Sequence, residues 1–152
     1  MSVITEIKKL NEDFIVQKKE LMRKTKVLFD VALVEVFNKY PDLDSFSWTQ
    51  YTPYFNDGDS CEFSAHVDYP SINGVCVDDM NDIEKENTTW SGTAGRVTSP
   101  NPLYNESKAL MVDEIIDILG SVDEAFLQDV YGDHTEVVVG RNGTTTSRYD
   151  HD

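Results

Sequence analysis

Residues 46–69, FSWTQYTPYFNDGDSCEFSAHVDY, set the expectation for the fold. Phe46 to Thr52 is rich in the aromatic and hydroxyl-bearing residues that suit a pleated, half-buried surface. In the second part, Cys61, Phe63, Ala65, Val67 and Tyr69 alternate with Glu62, Ser64, His66 and Asp68, the two-residue period of a strand with one wet face. Asp57-Gly58 lies in the loop between them and favours a reversal, so the segment predicts an antiparallel hairpin.

Before this hairpin, Ser2 is a suitable helix N-cap, and Val3, Ile7, Leu10, Phe14, Leu21 and Leu28 recur on one helical face. The helix should end at Tyr40, because the ring of Pro41 disfavours helical backbone in the residue before it. Up to about Lys26 the remaining faces are polar and rich in Lys, whereas Val27 to Phe37, VLFDVALVEVF, is apolar nearly all round. This contrast predicts a rear half that forms core and a front half that either protrudes and pairs with another copy or, equally well, packs along its own sheet.

After the hairpin, residues 70–105 show little periodicity and carry the acidic run Asp78 to Glu86, which reads as a long surface loop with short structure near Trp90. Beyond Asn105, Met111, Ile115, Ile118, Leu119, Val122, Phe126 and Val130 form one helical stripe. Gly120 interrupts it, and Ser121-Val122-Asp123-Glu124 has the capping-box pattern, so two helices should meet there, the second ending at Gly132. Glu136 to Val139 and Thr144 to Asp150 flank Asn142-Gly143 as a second hairpin. The expected fold is a single α+β domain over residues 1–152, in the order α-β-β-α-β-β. A four-stranded antiparallel sheet would be built from the two hairpins, with the helices on one face.

The 152 residues, 39% hydrophobic and 11% aromatic, fit a folded domain rather than a disordered acidic chain. The opening residues have no apolar run of signal-peptide length and no stretch could span a bilayer, so a cytoplasmic protein with Cys61 and Cys76 reduced is expected. Charge is unevenly placed. Residues 1–40 hold eight Lys or Arg against six Asp or Glu, and residues 41–152 hold five against twenty-two, giving +2 and −17. Such a field repels nucleic acid and anionic membranes, which argues against either as a direct partner.

Catalytic signatures are sparse. No His-x-x-x-His, Cys-x-x-Cys or Glu-x-x-His spacing occurs, so no cofactor or metal site is expected. Gly92 to Arg96, GTAGR, lacks the Lys-Ser/Thr of a phosphate loop and reads as a surface turn. Asp57, Asp59 and His66 are the residues a metal-dependent hydrolase would use, without the ligand spacing of a calcium loop. Tyr51, Tyr54 and Phe55 are candidate binding anchors, since aromatic side chains deliver contact area at little entropy cost, although packing of the hairpin onto the helices is the favoured explanation because alternate strand residues must face a core.

Three pieces of the sequence carry a resemblance: WTQYTPYFNDGD over residues 48–59 with Cys61 and Phe63, Tyr131-Gly132-Asp133-His134, and the ending Tyr149-Asp150-His151-Asp152. Together they resemble a group of small, uncharacterised proteins of tailed bacteriophages. The resemblance implies an infected bacterial cytoplasm and no catalytic residues. In that context, a host nucleic-acid-acting defence enzyme is the expected partner of an inhibitor whose carboxylates imitate DNA. Asp57 and Asp59, with Asp113, Glu114, Asp117, Asp123, Glu124 and Asp129 on the second helical region, would supply that surface. A self-associating scaffolding protein, assembled through the N-terminal helix, is the alternative.

Overall fold

The computed structural model describes residues 2–54, 58 and 60–150. Helix α1 runs from Val3 to Lys39, 37 residues and about 55 Å at 1.5 Å per residue. The Ser2 hydroxyl accepts the Thr5 N–H at its start, and it stops at Tyr40 ahead of Pro41. Its C-terminal carbonyls are held by Arg141, whose guanidinium donates to the carbonyls of Phe37, Tyr40 and Pro41 at 2.8–3.0 Å. A cation here also opposes the negative end of the helix dipole.

The sheet differs from the four-stranded expectation. Strands β1 (Ser45–Tyr51), β2 (Ser64–Ala65), β3 (Ser71–Ile72), β4 (Val75–Cys76), β7 (Thr135–Gly140) and β8 (Gly143–Arg148) form six strands in the order β4-β3-β1-β7-β8, with β2 also on β1. Strands β5 (Glu86–Ser91) and β6 (Gly95–Pro100) form a separate two-stranded sheet. The expected strand over residues 61–69 contracts to Ser64-Ala65, because β1 shares that edge between β2 and β3. Ile72 pairs with Phe46 in the space a longer β2 would have occupied.

Residues 70–105 are therefore structured rather than a loop. Asn73 and Gly74 turn β3 into β4 with φ of +52° and +82°, the left-handed pair that a two-residue hairpin requires. Asn73 also accepts the Asp44 and Ser45 N–H groups and donates to the Asp42 carbonyl, fixing the approach to β1. Buried Asn101 donates to the carbonyls of Asn81 and Glu84, and Lys108 pairs with Asp82 at 2.9 Å. These bonds tie the base of the β5–β6 hairpin to helix α2 (Glu106–Gly120).

The inward face of β1 and β7 is set by their register. Phe46 opposes Val139, Trp48 opposes Val137 and Gln50 opposes Thr135, and all six are buried. They join Ile115 and Leu119 of α2, Phe126 and Leu127 of α3 (Glu124–Tyr131), and Phe29, Leu33, Val36 and Phe37 of α1 in one core. Phe37 stacks on Phe46 with ring centres 5.6 Å apart, and Phe29 meets Phe126 edge-on at 5.7 Å. The break near Gly120 is as expected, but the α3 cap is Asp123, which accepts the Phe126 N–H, not Ser121. The rear half of α1 is likewise less buried than its composition suggests. Val27, Leu28, Val31 and Val34 remain exposed because α2, α3 and the sheet cover one side of the helix only.

Candidate functional site

Residues Trp48 to Tyr54, Tyr131 to His134 and Tyr149, the described parts of the three sequence pieces singled out above, converge at one end of the sheet. Trp48 donates its indole N–H to buried Gln50 at 2.9 Å, and the Gln50 amide donates in turn to the carbonyls of Leu127 and Gly132 at 2.8 and 2.7 Å. The Trp48 ring meets Tyr131 edge-on at 5.5 Å. Gly132, at φ +93°, ends α3 and turns the chain toward β7. Asp133 then accepts the Thr52 N–H at 2.7 Å, the Thr52 hydroxyl at 2.6 Å and the His134 N–H at 2.8 Å.

Desolvation pushes the Asp133 carboxyl upward, but the hydrogen bonds from Thr52 and His134 outweigh it and hold the group below the usual carboxylate range. Burial, reinforced by the Asp30 carboxylate, pushes the Tyr131 hydroxyl up to about 12. Much of this motif set thus has an architectural task. It locks β1, the end of α3 and the start of β7 through buried polar bonds.

Around that lock lies an aromatic surface. Tyr51 packs against His66 and Tyr149, at 4.8 and 5.6 Å between ring centres. Tyr54 stacks on His134 at 4.8 Å with its hydroxyl accepting from Arg148 at 3.1 Å. Tyr51 is half-buried and Tyr54 is 55% exposed, so of the two anchors Tyr54 is the more exposed. Phe55, Asp57 and Asp59 lie outside the described residues. Among the described residues there is no group of three His, Cys, Asp or Glu side chains arranged to hold a metal ion. Cys61 is exposed and Cys76 half-buried, both as free thiols.

The acidic residues of α2 and α3 divide into two sets. Asp123 caps α3, and the Glu124 carboxylate accepts the Ser64 hydroxyl and the Ala65 N–H at 3.1 and 3.2 Å, fastening β2 to the helix. Glu114 is held below its usual range by a hydrogen bond from the Tyr40 hydroxyl, opposed by desolvation and assisted by Lys39, whose ammonium lies 3.2 Å away. Asp113, Asp117 and Asp129 are exposed. Half of the expected acidic surface on these helices is thus engaged within the fold. Asp123 is committed locally, three residues from its partner, whereas Glu114 and Glu124 are held by partners distant in sequence that spacing alone does not reveal.

The front half of α1 is a different kind of surface. Every residue from Ser2 to Leu21 is exposed, and five of the apolar stripe residues, Val3, Leu10, Phe14, Leu21 and Leu28, are 62–69% exposed. Beside the stripe, an open groove of about 1050 Å³ runs between α1 and the α2–α3 junction. Phe14, Ile15 and Met22 line one wall and Val122, Phe126 and Val130 the other, and Lys18, Arg23, Asp123 and Asp129 also border it. The hairpin β5–β6 is also almost wholly exposed, with Trp90 at 80%. No described helix is long and apolar enough to cross a membrane. Comparison of the chain with protein-family models, with curated proteins and with solved structures finds no match in any of the three.

Proposed function

We propose that this chain is a non-enzymatic protein-interaction module whose working surface is the front half of α1. One observation carries the reading: an apolar stripe, interrupted only at Gln17 and Lys24, projects beyond the body with none of the described residues covering it. Monomers rarely present contiguous apolar surface on this scale unless another molecule covers it. The phage resemblance of the motif corner supports an infected bacterial cytoplasm as the setting.

If the stripe belongs to the interaction surface and not to the packing of the body, Leu10→Asp/Phe14→Asp should leave the body intact. In dilute protein, where association adds nothing to apparent stability, its unfolding free energy should stay within about 0.5 kcal/mol of wild type. A loss of about 2 kcal/mol or more would mean that the stripe packs onto the body in solution, and the reading would fail.

A second reading, inhibition of a host nucleic-acid-acting enzyme through the acidic body, is supported by the −17 carried by residues 41–152 and by exposed Asp113, Asp117 and Asp129. It is the weaker of the two, because Glu114, Asp123 and Glu124 are already bound within the fold.

A further inference from the structure

The geometry points to a second copy of this chain as the occupant of the α1 stripe, in a parallel, in-register two-stranded coiled coil from Val3 to Val31. This rests on the reading of α1 as the working surface and adds the identity of the partner and its orientation. Val3, Ile7, Leu10, Phe14, Leu21, Leu28 and Val31 follow the alternating three- and four-residue steps of a heptad seam, in which Gln17 and Lys24 take the two intervening positions. A seam of period 3.5 is matched by another of the same period, and a second copy supplies one of identical spacing.

The stripe lies roughly 110° around the helix from the buried residues Phe29, Leu33, Val36 and Phe37, at about 100° per residue. A two-fold axis along the stripe therefore sends the two bodies to opposite sides of the pair and leaves the seam clear. Covering the seven apolar side chains removes on the order of 800 Å² from each copy, the size of a standard stable interface.

Charge along the flanks selects the orientation. The residues preceding Ile7, Phe14 and Leu21 are Glu6, Asp13 and Glu20, so one flank of the seam is acidic, and the other carries Asn11, Lys18 and Thr25. A parallel pair sets Asp13 of one helix against Lys18 of its partner, whereas an antiparallel pair sets the two acidic flanks together. Gln17 meets its own copy in register and can hydrogen-bond across the seam, while the paired Lys24 ammonium groups must reach outward to water. Polar residues at single seam positions weaken a coiled coil and fix its register and strand number. Association also accounts for the helix itself. A segment of about twenty residues, all of them exposed, is marginal as an isolated helix in water, and the partner supplies the packing.

Sedimentation equilibrium on the full chain tests the occupant, and cysteine pairing tests the orientation. Wild type should be a dimer, and Leu10→Asp should raise the dissociation constant at least about a hundredfold. Near-ultraviolet circular dichroism should show the body unchanged in that variant. In a Cys61→Ser/Cys76→Ser background, Gln17→Cys and Lys24→Cys, made separately, should each form a disulfide-linked dimer under mild oxidation. An antiparallel pair can bring at most one of these positions against itself. A wild-type chain monomeric at about 100 μM would overturn the proposal while leaving the stability test of the stripe untouched. A dimer unaffected by Leu10→Asp, or one in which only one of the two cysteines cross-links, would overturn it as well.

Discussion

The two halves of α1 share one backbone and each carries an apolar face, yet the two faces have opposite fates. From Phe29 onward the helix has a floor: Leu33, Val36 and Phe37 settle on β1 and α2, and Arg141 closes the end. Ahead of Met22 it has none, and Ile7, Leu10 and Phe14 stand in solvent. Amphipathicity states that a helix has a face to bury, but not against what. In this chain the sheet and the two later helices give the rear half its floor, while the front half borders α3 only across an open groove.

The sharpest way to break this contrast is a matched pair of truncations. Phe29→Ala removes a ring held edge-on against Phe126 and should cost the body about 3–5 kcal/mol in denaturant unfolding. Leu10→Ala in the same dilute protein should change it by less than about 0.5 kcal/mol. Equal losses would show that the front half is part of the body after all.

A smaller effect is expected at the lock that holds the body together. Gln50→Leu keeps the volume but leaves the Trp48 indole N–H and the carbonyls of Leu127 and Gly132 without their partner. The loss should be about 2–4 kcal/mol, read as a fall in melting temperature, with no change in association through α1. A neutral result would mean that water replaces the amide, and the corner would be looser than its bond lengths imply.

The smallest expected effect is a pH dependence confined to the body. Asp133 is held below the ordinary carboxylate range, so it binds a proton less readily folded than unfolded. Its contribution is therefore complete above the unfolded value, about pH 4, and is lost as the pH falls through the lower folded value. Asp133→Asn should lower stability by about 1 kcal/mol near neutrality, and the gap to wild type should close in acid. A gap that persists unchanged well below pH 4 would remove the charge from the explanation and leave only geometry.

Much of the fold could be read from local chemistry. Ser2 and Pro41 bracket α1, Gly120 parts α2 from α3, Gly132 ends α3, and Asn142-Gly143 marks the last hairpin, each because one residue type satisfies a local backbone demand. The Ile72-Asn73-Gly74-Val75 turn carried the same kind of signal within a stretch read as a loop, and a two-residue Asn-Gly reversal between β-branched residues was sufficient to mark it. The β5–β6 hairpin had weaker cues, Thr, Trp and Val around GTAG, with no alternation because neither face is buried. In the candidate site, the aromatic anchors were recognisable as unusual, but the roles of Gln50, Asp133 and Glu124 were not. Their partners lie about 60–80 residues away, and only folding brings them within hydrogen-bond reach.

By itself, the sequence determined where helices begin and end, the turn of the last hairpin, the lopsided distribution of charge and the spacing of apolar residues along α1. These follow from backbone sterics and from the periods of helix and strand, which act over a few residues. Only the tertiary structure decided that β1 shares one edge between two short strands, that Glu114 and Glu124 are bound within the body, and that the front of α1 stands exposed. Those outcomes depend on which surfaces compete for the same space. That competition is settled by packing across the whole chain, which local spacing does not encode.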